Sequence, residues 1–291
     1  MKALCSLENT RTPTQGSAPG AGPTSFLFWD RSLLLNPFSL LFYPGIPTLA
    51  TLYHLTSFTY SIIRPRSLVF ALEMFRPLTS AIFLVINWII FALSRLLYRI
   101  RGHDSRQIIR HRAFRHHPEP NIILEAPECG HSGSHLLPNH TCLDDGKIGK
   151  IPELRWRPPA HLDVKQYVLI CEDLDAPIPF SIINHGLFFG IPPITTEAFP
   201  DDIEQDRNCA GRLTLAGWGF VPTMRGTPYI GAAAPLGHGV HRYVYTIIAL
   251  NEPLHFDRPD KVTKRQVKKA LTDKVIGWGQ WTGHFERPWP R

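Results

Sequence analysis

Between Ser32 and Ile63 the chain carries no Asp, Glu, Lys or Arg, and a second charge-free run extends from Pro77 to Ser94. Runs this apolar need either a core or a membrane to cover them. In the first, Pro37, Pro44 and Pro47 forbid one straight helix. The second, PLTSAIFLVINWIIFALS, is 18 residues long with Asn87 its only strongly polar member. That reaches the length at which a transmembrane helix becomes the default reading. Three placements fit it: spanning a bilayer, lying on its surface, or packing in a soluble core. Arg95–Arg115 then brings seven Arg against one Asp, which favours the cytoplasmic side and anionic lipid heads. Membrane lipids are therefore expected partners of residues 32–115, with the following domain facing the cytoplasm. The full chain should pellet with membranes, and residues 119–291 should stay soluble.

Charge divides the chain the same way. Residues 1–118 carry 13 Lys/Arg and 4 Asp/Glu, net +9, and residues 119–291 carry 18 and 20, net −2, which together give the formal +7. The basic excess belongs to one segment, so no nucleic-acid partner is expected. Residues 1–24, rich in Gly, Pro, Ser and Thr, are expected to be disordered. Residues 25–118 form the apolar extension with its basic end, and 119–291 a folded domain. With 44% hydrophobic residues over 291 positions the chain is neither disordered overall nor collagen-like. Five cysteines at irregular spacing are no disulfide framework.

From about Asn121 short apolar runs alternate with Pro, Gly and Asp. Strands are expected at Asn121–Glu125, Gln166–Asp173, Gly186–Ile191 and Arg242–Leu250, and a helix over Asp260–Ile276, where Val262, Val267, Ala270, Leu271 and Val275 fall near helical spacing. The fold class is mainly β with one late helix. The Gly-Trp-Gly triplets at 217–219 and 277–279 read as packed turns. Cys129, His131, His135, His140 and Cys142 are zinc-type residues, but their spacing fits no standard finger and no metal site is expected. No P-loop, dinucleotide fingerprint or nucleophile elbow is present, so no cofactor is expected.

Two stretches carry chemistry. Asp173-Leu174-Asp175-Ala176-Pro177 closes a strand, with His185 following in INHGLFFGI. Two Asp two apart on an extended segment point to one face. The second stretch is YIGAAAPLGHGVHRY, Tyr229–Tyr243. Its Gly and Pro make a stiff loop whose N–H groups can face a phosphate or carboxylate. Two carboxylates beside two imidazoles can hold a proton or bind an anion's oxygens.

Together with Ile151–Trp156, these stretches resemble the phosphatidylethanolamine-binding protein (PEBP) family, over about Asn121–Gly279. The resemblance implies an antiparallel β domain with a C-terminal helix. It also implies a small-anion pocket in which Asp173, Asp175, His185 and His241 converge as candidate catalytic groups, with Pro177, Pro235, Gly237 and Tyr243 as further ligand contacts. Ala233-Ala234-Pro235 stands where members usually have Gly-Pro-Pro, and Ile183-Asn184 where many have Trp; a methyl at Ala233 narrows the approach to an anion. The chain is similar to divergent fungal members of secondary-metabolite pathways, including those coupling maleic anhydride units into dimeric anhydrides. That implies a small carboxylate-bearing ligand and partner enzymes of such a pathway. The alternatives the family offers are a membrane-tethered phospholipid-head-group binder and a kinase-regulating module, neither catalytic. If His241 is a solvated pocket residue, His241→Ala should abolish function with little loss of folding.

Overall fold

The computed structural model describes residues 66–144, 148–209 and 211–289, with side chains from Ser80 onward. The disorder expected of residues 1–24 and the first charge-free run, Ser32–Ile63, lie outside the described residues.

Helix α1 (Arg66–Leu96) contains the whole second charge-free run and starts well ahead of it. Within it and just beyond, Ser80–Arg99 is long and apolar enough to cross a membrane, and only 6% of that window is buried. Leu84, Val85, Trp88, Ile89 and Leu96 stand exposed.

The domain that follows is mainly β and antiparallel. Its strands are β1 (Ile123–Glu125), β2 (Leu154–Arg157), β3 (Gln166–Asp173), β4 (Ile183–Ile191), β5 (Glu197–Ala198), β6 (Gly219–Phe220), β7 (His241–Leu250) and β8 (Val275–Phe285). The large sheet runs β6-β4-β3-β7-β8 and the small one β1-β2-β5. Strand β3 shows why the apolar runs are nearly continuous. Tyr167, Leu169 and Cys171 enter the core between the sheets, against Trp156 and Trp281. Val168 and Ile170 enter a second core on the other face, under Val267 and Leu271. A strand covered on both faces has no side left for polar alternation. The second core also takes Ile108, Ala113 and Phe114 from the Arg-rich stretch after α1.

The late helix, α2, is shorter than expected: Lys264–Ala270, opened by Thr263 and Gln266 bonding reciprocally to each other's backbone. The apolar spacing that extended it to Ile276 belongs partly to β8, because Asp273 at φ 62 ends the helical path and the strand starts at Val275. Gly277-Trp278-Gly279 is accordingly strand, not turn. Its glycines serve close approach: a Cβ at Gly279 would strike the Ile122 carbonyl. The other triplet does turn, with Gly217 at φ 78, before Gly219 enters β6.

Candidate functional site

The two motif stretches meet at one end of the large sheet. Asp173 ends β3, and its neighbours across the ladder are Ile183 at the start of β4 and Tyr243 near the start of β7. Antiparallel pairing thus sets residues distant in sequence side by side. Asp173, His185, His241 and Tyr243 are all buried, none more than 3% exposed.

Asp173 accepts from His241 Nδ1 at 2.9 Å and from the Asp175 N–H at 2.8 Å. Burial would push its carboxyl up; the His241 charge and hydrogen bond, with His185 nearby, outweigh this and hold it below the ordinary carboxylate value. On its far side His241 Nε2 lies 2.7 Å from His238 Nδ1, and His238 Nε2 lies 3.1 Å from the Leu97 carbonyl. The Asp173 carboxylate and the Leu97 carbonyl are acceptors, so His241 Nδ1 and His238 Nε2 donate to them. Burial, then the neighbouring His241, pushes His238 below the ordinary imidazole value.

His185 differs. Its Nδ1 bonds the Ile230 carbonyl at 2.9 Å, which makes Nδ1 the donor and leaves Nε2 a lone pair. Burial pushes this imidazole down as well, against the pull of Asp173. Its ring meets Tyr243 edge-on at 5.0 Å. The Tyr243 hydroxyl, held neutral by burial and the nearby Asp173, accepts the Ala233 N–H at 3.0 Å. That N–H of the loop is thereby engaged within the protein.

Asp175 has other partners than Asp173. It accepts from the Arg242 N–H (3.0 Å) and Nε (2.8 Å) and from the Gly102 N–H (3.0 Å). Arg242 also forks onto Asp104 at 2.8 and 3.0 Å. Burial raises the Asp175 carboxyl, and Arg242 more than reverses that. The leucine between the two Asp leaves the ladder pairing, so the common face expected of an extended pair splits into two environments. Pro177 and Pro235 are buried in the two loops, and Gly237 at φ 76 is where the second loop turns.

The end of α1 covers this site. A Cβ at Gly237 would overlap the Phe91 ring, which itself packs against Trp289 at 5.0 Å. Tyr98 lies 6.1 Å from the His238 ring, and Arg101 bonds the Val240 carbonyl. The His103 N–H reaches the Leu174 carbonyl at 2.8 Å. His238 and this covering segment were missed by the sequence reading. The Gly237-His238-Gly239 triplet was a usable signal for His238; nothing in sequence placed the segment.

A buried Asp–His–His chain and an adjacent imidazole thus sit together at the ends of β3, β4 and β7 of this antiparallel β domain. The family model for phosphatidylethanolamine-binding protein matches residues 130–286, and the chain belongs to that family. It is 36% identical over 203 residues to phomoidride biosynthesis cluster protein B of Fungal sp. (strain ATCC 74256), covering 69% of this chain and 95% of that protein. Its namesake in Talaromyces stipitatus is 35% identical over 215 residues, 72% of this chain and 86% of that protein. Among solved structures, Escherichia coli YbcL, described as a member of the mammalian PEBP family, is 21% identical with a TM-score of 0.48, over 57% of this chain and 98% of that one.

Proposed function

We propose that the protein binds a small carboxylate-bearing anion and assists fungal secondary-metabolite biosynthesis, in the coupling of maleic anhydride units into dimeric anhydrides. Likeness to the phomoidride cluster proteins supports the pathway. The Asp173–His241–His238 chain is the observation that carries the chemistry. In it His238 Nδ1 takes the acceptor position that a ligand carboxylate oxygen takes when His241 Nε2 donates to it. Ligand entry therefore displaces His238. His185 Nε2, a lone pair on an imidazole kept neutral by burial, is the base for a proton on the activated carbon acid. Asp175 acts as a positioning residue through Arg242. Pro177, Pro235 and Gly237 shape the loops, and proton transfer of this kind calls for no cofactor.

The same reading gives α1 a membrane role, with the domain on the cytoplasmic side and pathway enzymes as partners. While Ile90–Arg101 covers the site, with Ile90 packed on Ala176 and Ile183, only Pro77–Ile89 remains as free charge-free helix. At about 1.5 Å per residue that stretch is roughly 20 Å long, short of the roughly 30 Å hydrocarbon core. The covered form thus lies along the surface, and full insertion of the window uncovers the site.

Incubating the full chain with maleic anhydride monomers and the other pathway enzymes, and measuring dimeric anhydride by mass spectrometry, tests the reading. Dimer should form with the wild type and fall with His185→Gln. Binding of phosphoethanolamine with no effect on dimer yield would replace it with the non-catalytic alternative, a membrane-tethered head-group binder.

A further inference from the structure

Beside the covered site lies a second concavity that the Asp–His chain does not use. It has a volume of about 920 Å³, within the roughly 300–1,000 Å³ of ligand sites. Its cations are Arg106 and Arg112 from the stretch after α1, and Lys264, Arg265, Lys268 and Lys269 from α2. No Asp or Glu lines it. This gathering is against the trend of the domain, since residues 119–291 sum to −2. A solvated protein surface normally intersperses the two signs. Here one cation is neutralised: Lys264 reaches the buried Glu172 at 2.7 Å. Among the described residues the other five make no ion pair. Like charge is felt within the group, as Lys264 and Arg106 add to burial in pushing the Lys268 ammonium below its ordinary value.

Convergence of two segments more than 150 positions apart is not a charge run in sequence. It is a tertiary arrangement that repels itself until an anion enters. Several fixed cations around one hollow suit clustered phosphates, which accept many charge-assisted hydrogen bonds at once. Phe180 stands at the rim, 79% exposed and at φ 58, a backbone conformation that a bulky residue rarely adopts. Arg106 and Arg112 lie 10 and 16 positions past Leu96, the last residue of the apolar helix.

We infer that this groove is a second anion site that takes the multiply phosphorylated head group of a membrane lipid, with Phe180 and α1 contacting the bilayer beside it. The groove is separate from the Asp173–His241 site, and its occupancy does not depend on the chemistry proposed there. Soluble polyphosphates share the phosphate chemistry but would use neither Phe180 nor the helix.

Full-length protein in neutral detergent, titrated with inorganic tripolyphosphate and with micelles doped with phosphatidylinositol bisphosphate, tests this. Both probes should bind, more weakly as salt rises, and the lipid the more tightly. Arg112→Ala with Lys268→Ala and Lys269→Ala should weaken both by about tenfold or more. These side chains are partly or wholly exposed, so the fold should persist. Charge-preserving Lys268→Arg with Lys269→Arg should retain binding. Phe180→Ala should weaken the lipid alone. Equal affinity for the two probes, with no effect of Phe180→Ala, would overturn the lipid assignment in favour of a soluble polyphosphate. Unchanged binding in the triple alanine variant would overturn the groove itself.

Discussion

His241 is fully buried and bonded on both ring nitrogens, which reverses the expectation that truncating it would spare the fold. His241→Ala leaves the buried Asp173 carboxylate without its His241 partner. Breaking a buried pair of this kind costs about 3 kcal/mol or more, which lowers the melting temperature by about 6–12 °C in a chain of this size. Thermal unfolding measures it, and an unchanged melting temperature would show that His241 is solvated after all. His185→Gln is the better probe of chemistry, because an amide nitrogen can still donate to the Ile230 carbonyl. The same imidazoles set a pH dependence. Burial holds His185 and His238 below the ordinary value of about 6.5. As pH falls through that value the unfolded chain binds protons that the folded chain refuses, so stability is fully present above it and declines below. Melting temperature should thus drop between about pH 7 and 5, and His238→Gln should flatten the slope. Asp173, held below its ordinary value, contributes stability above about pH 4 that is lost as pH falls through its folded value.

At the scale of elements, the end of α1 lies over the site. Its hold on the domain rests on the Phe91 and Tyr98 rings, the His238–Leu97 link and Arg101. Against that hold, the Ser94 hydroxyl is buried with no partner among the described residues, which costs about 1–3 kcal/mol. A docked end with such a defect is a low-stability unit that opens without global unfolding. Phe91→Ala with Tyr98→Ala should speed amide hydrogen exchange in the loop 231–240 and leave β3 and β7 protected. Equal slowing or no change in that loop would mean that the loop, not the helix end, closes the site. Strand β8 shows the opposite behaviour: Gly277, Gly279 and Gly283 let residues 121–122 and Leu136 lie directly on it, a contact that fixes the edge of the sheet.

For the whole molecule, the stretch after α1 is shared between extension and domain. Residues 104–114 carry three short turns, supply Ile108, Ala113 and Phe114 to the second core, and bring Asp104 to Arg242. Burying Ile108 and Phe114 contributes about 1.5–3 kcal/mol each. A chain beginning at residue 104 should therefore melt well above one beginning at residue 119, with the shorter chain also more prone to aggregate. Matching melting curves for the two would place the working boundary of the domain at 119.

Much of this was written locally. Continuous Val/Ile/Leu runs located β3 and β7 because both of their faces are covered. The paired motifs located Asp173, His185, His241 and Tyr243 because a ladder must bring the ends of neighbouring strands together. The charge-free run located α1, since among the described residues no other element is apolar over that length. What local pattern could not hold is where distant segments land. Val275 and Ile276 fit a helix and a strand equally well, and the turn at Asp273 with the pairing of β8 along β7, Val275 opposite Leu250, chose the strand. Asp175 shares a motif with Asp173, yet its partners are Arg242, Arg101 and Gly102. His238 looked like a loop residue until the Leu97 carbonyl, 141 positions away, reached its ring. Such contacts depend on the path of the whole backbone, which side-chain type and spacing along the chain do not encode one residue at a time.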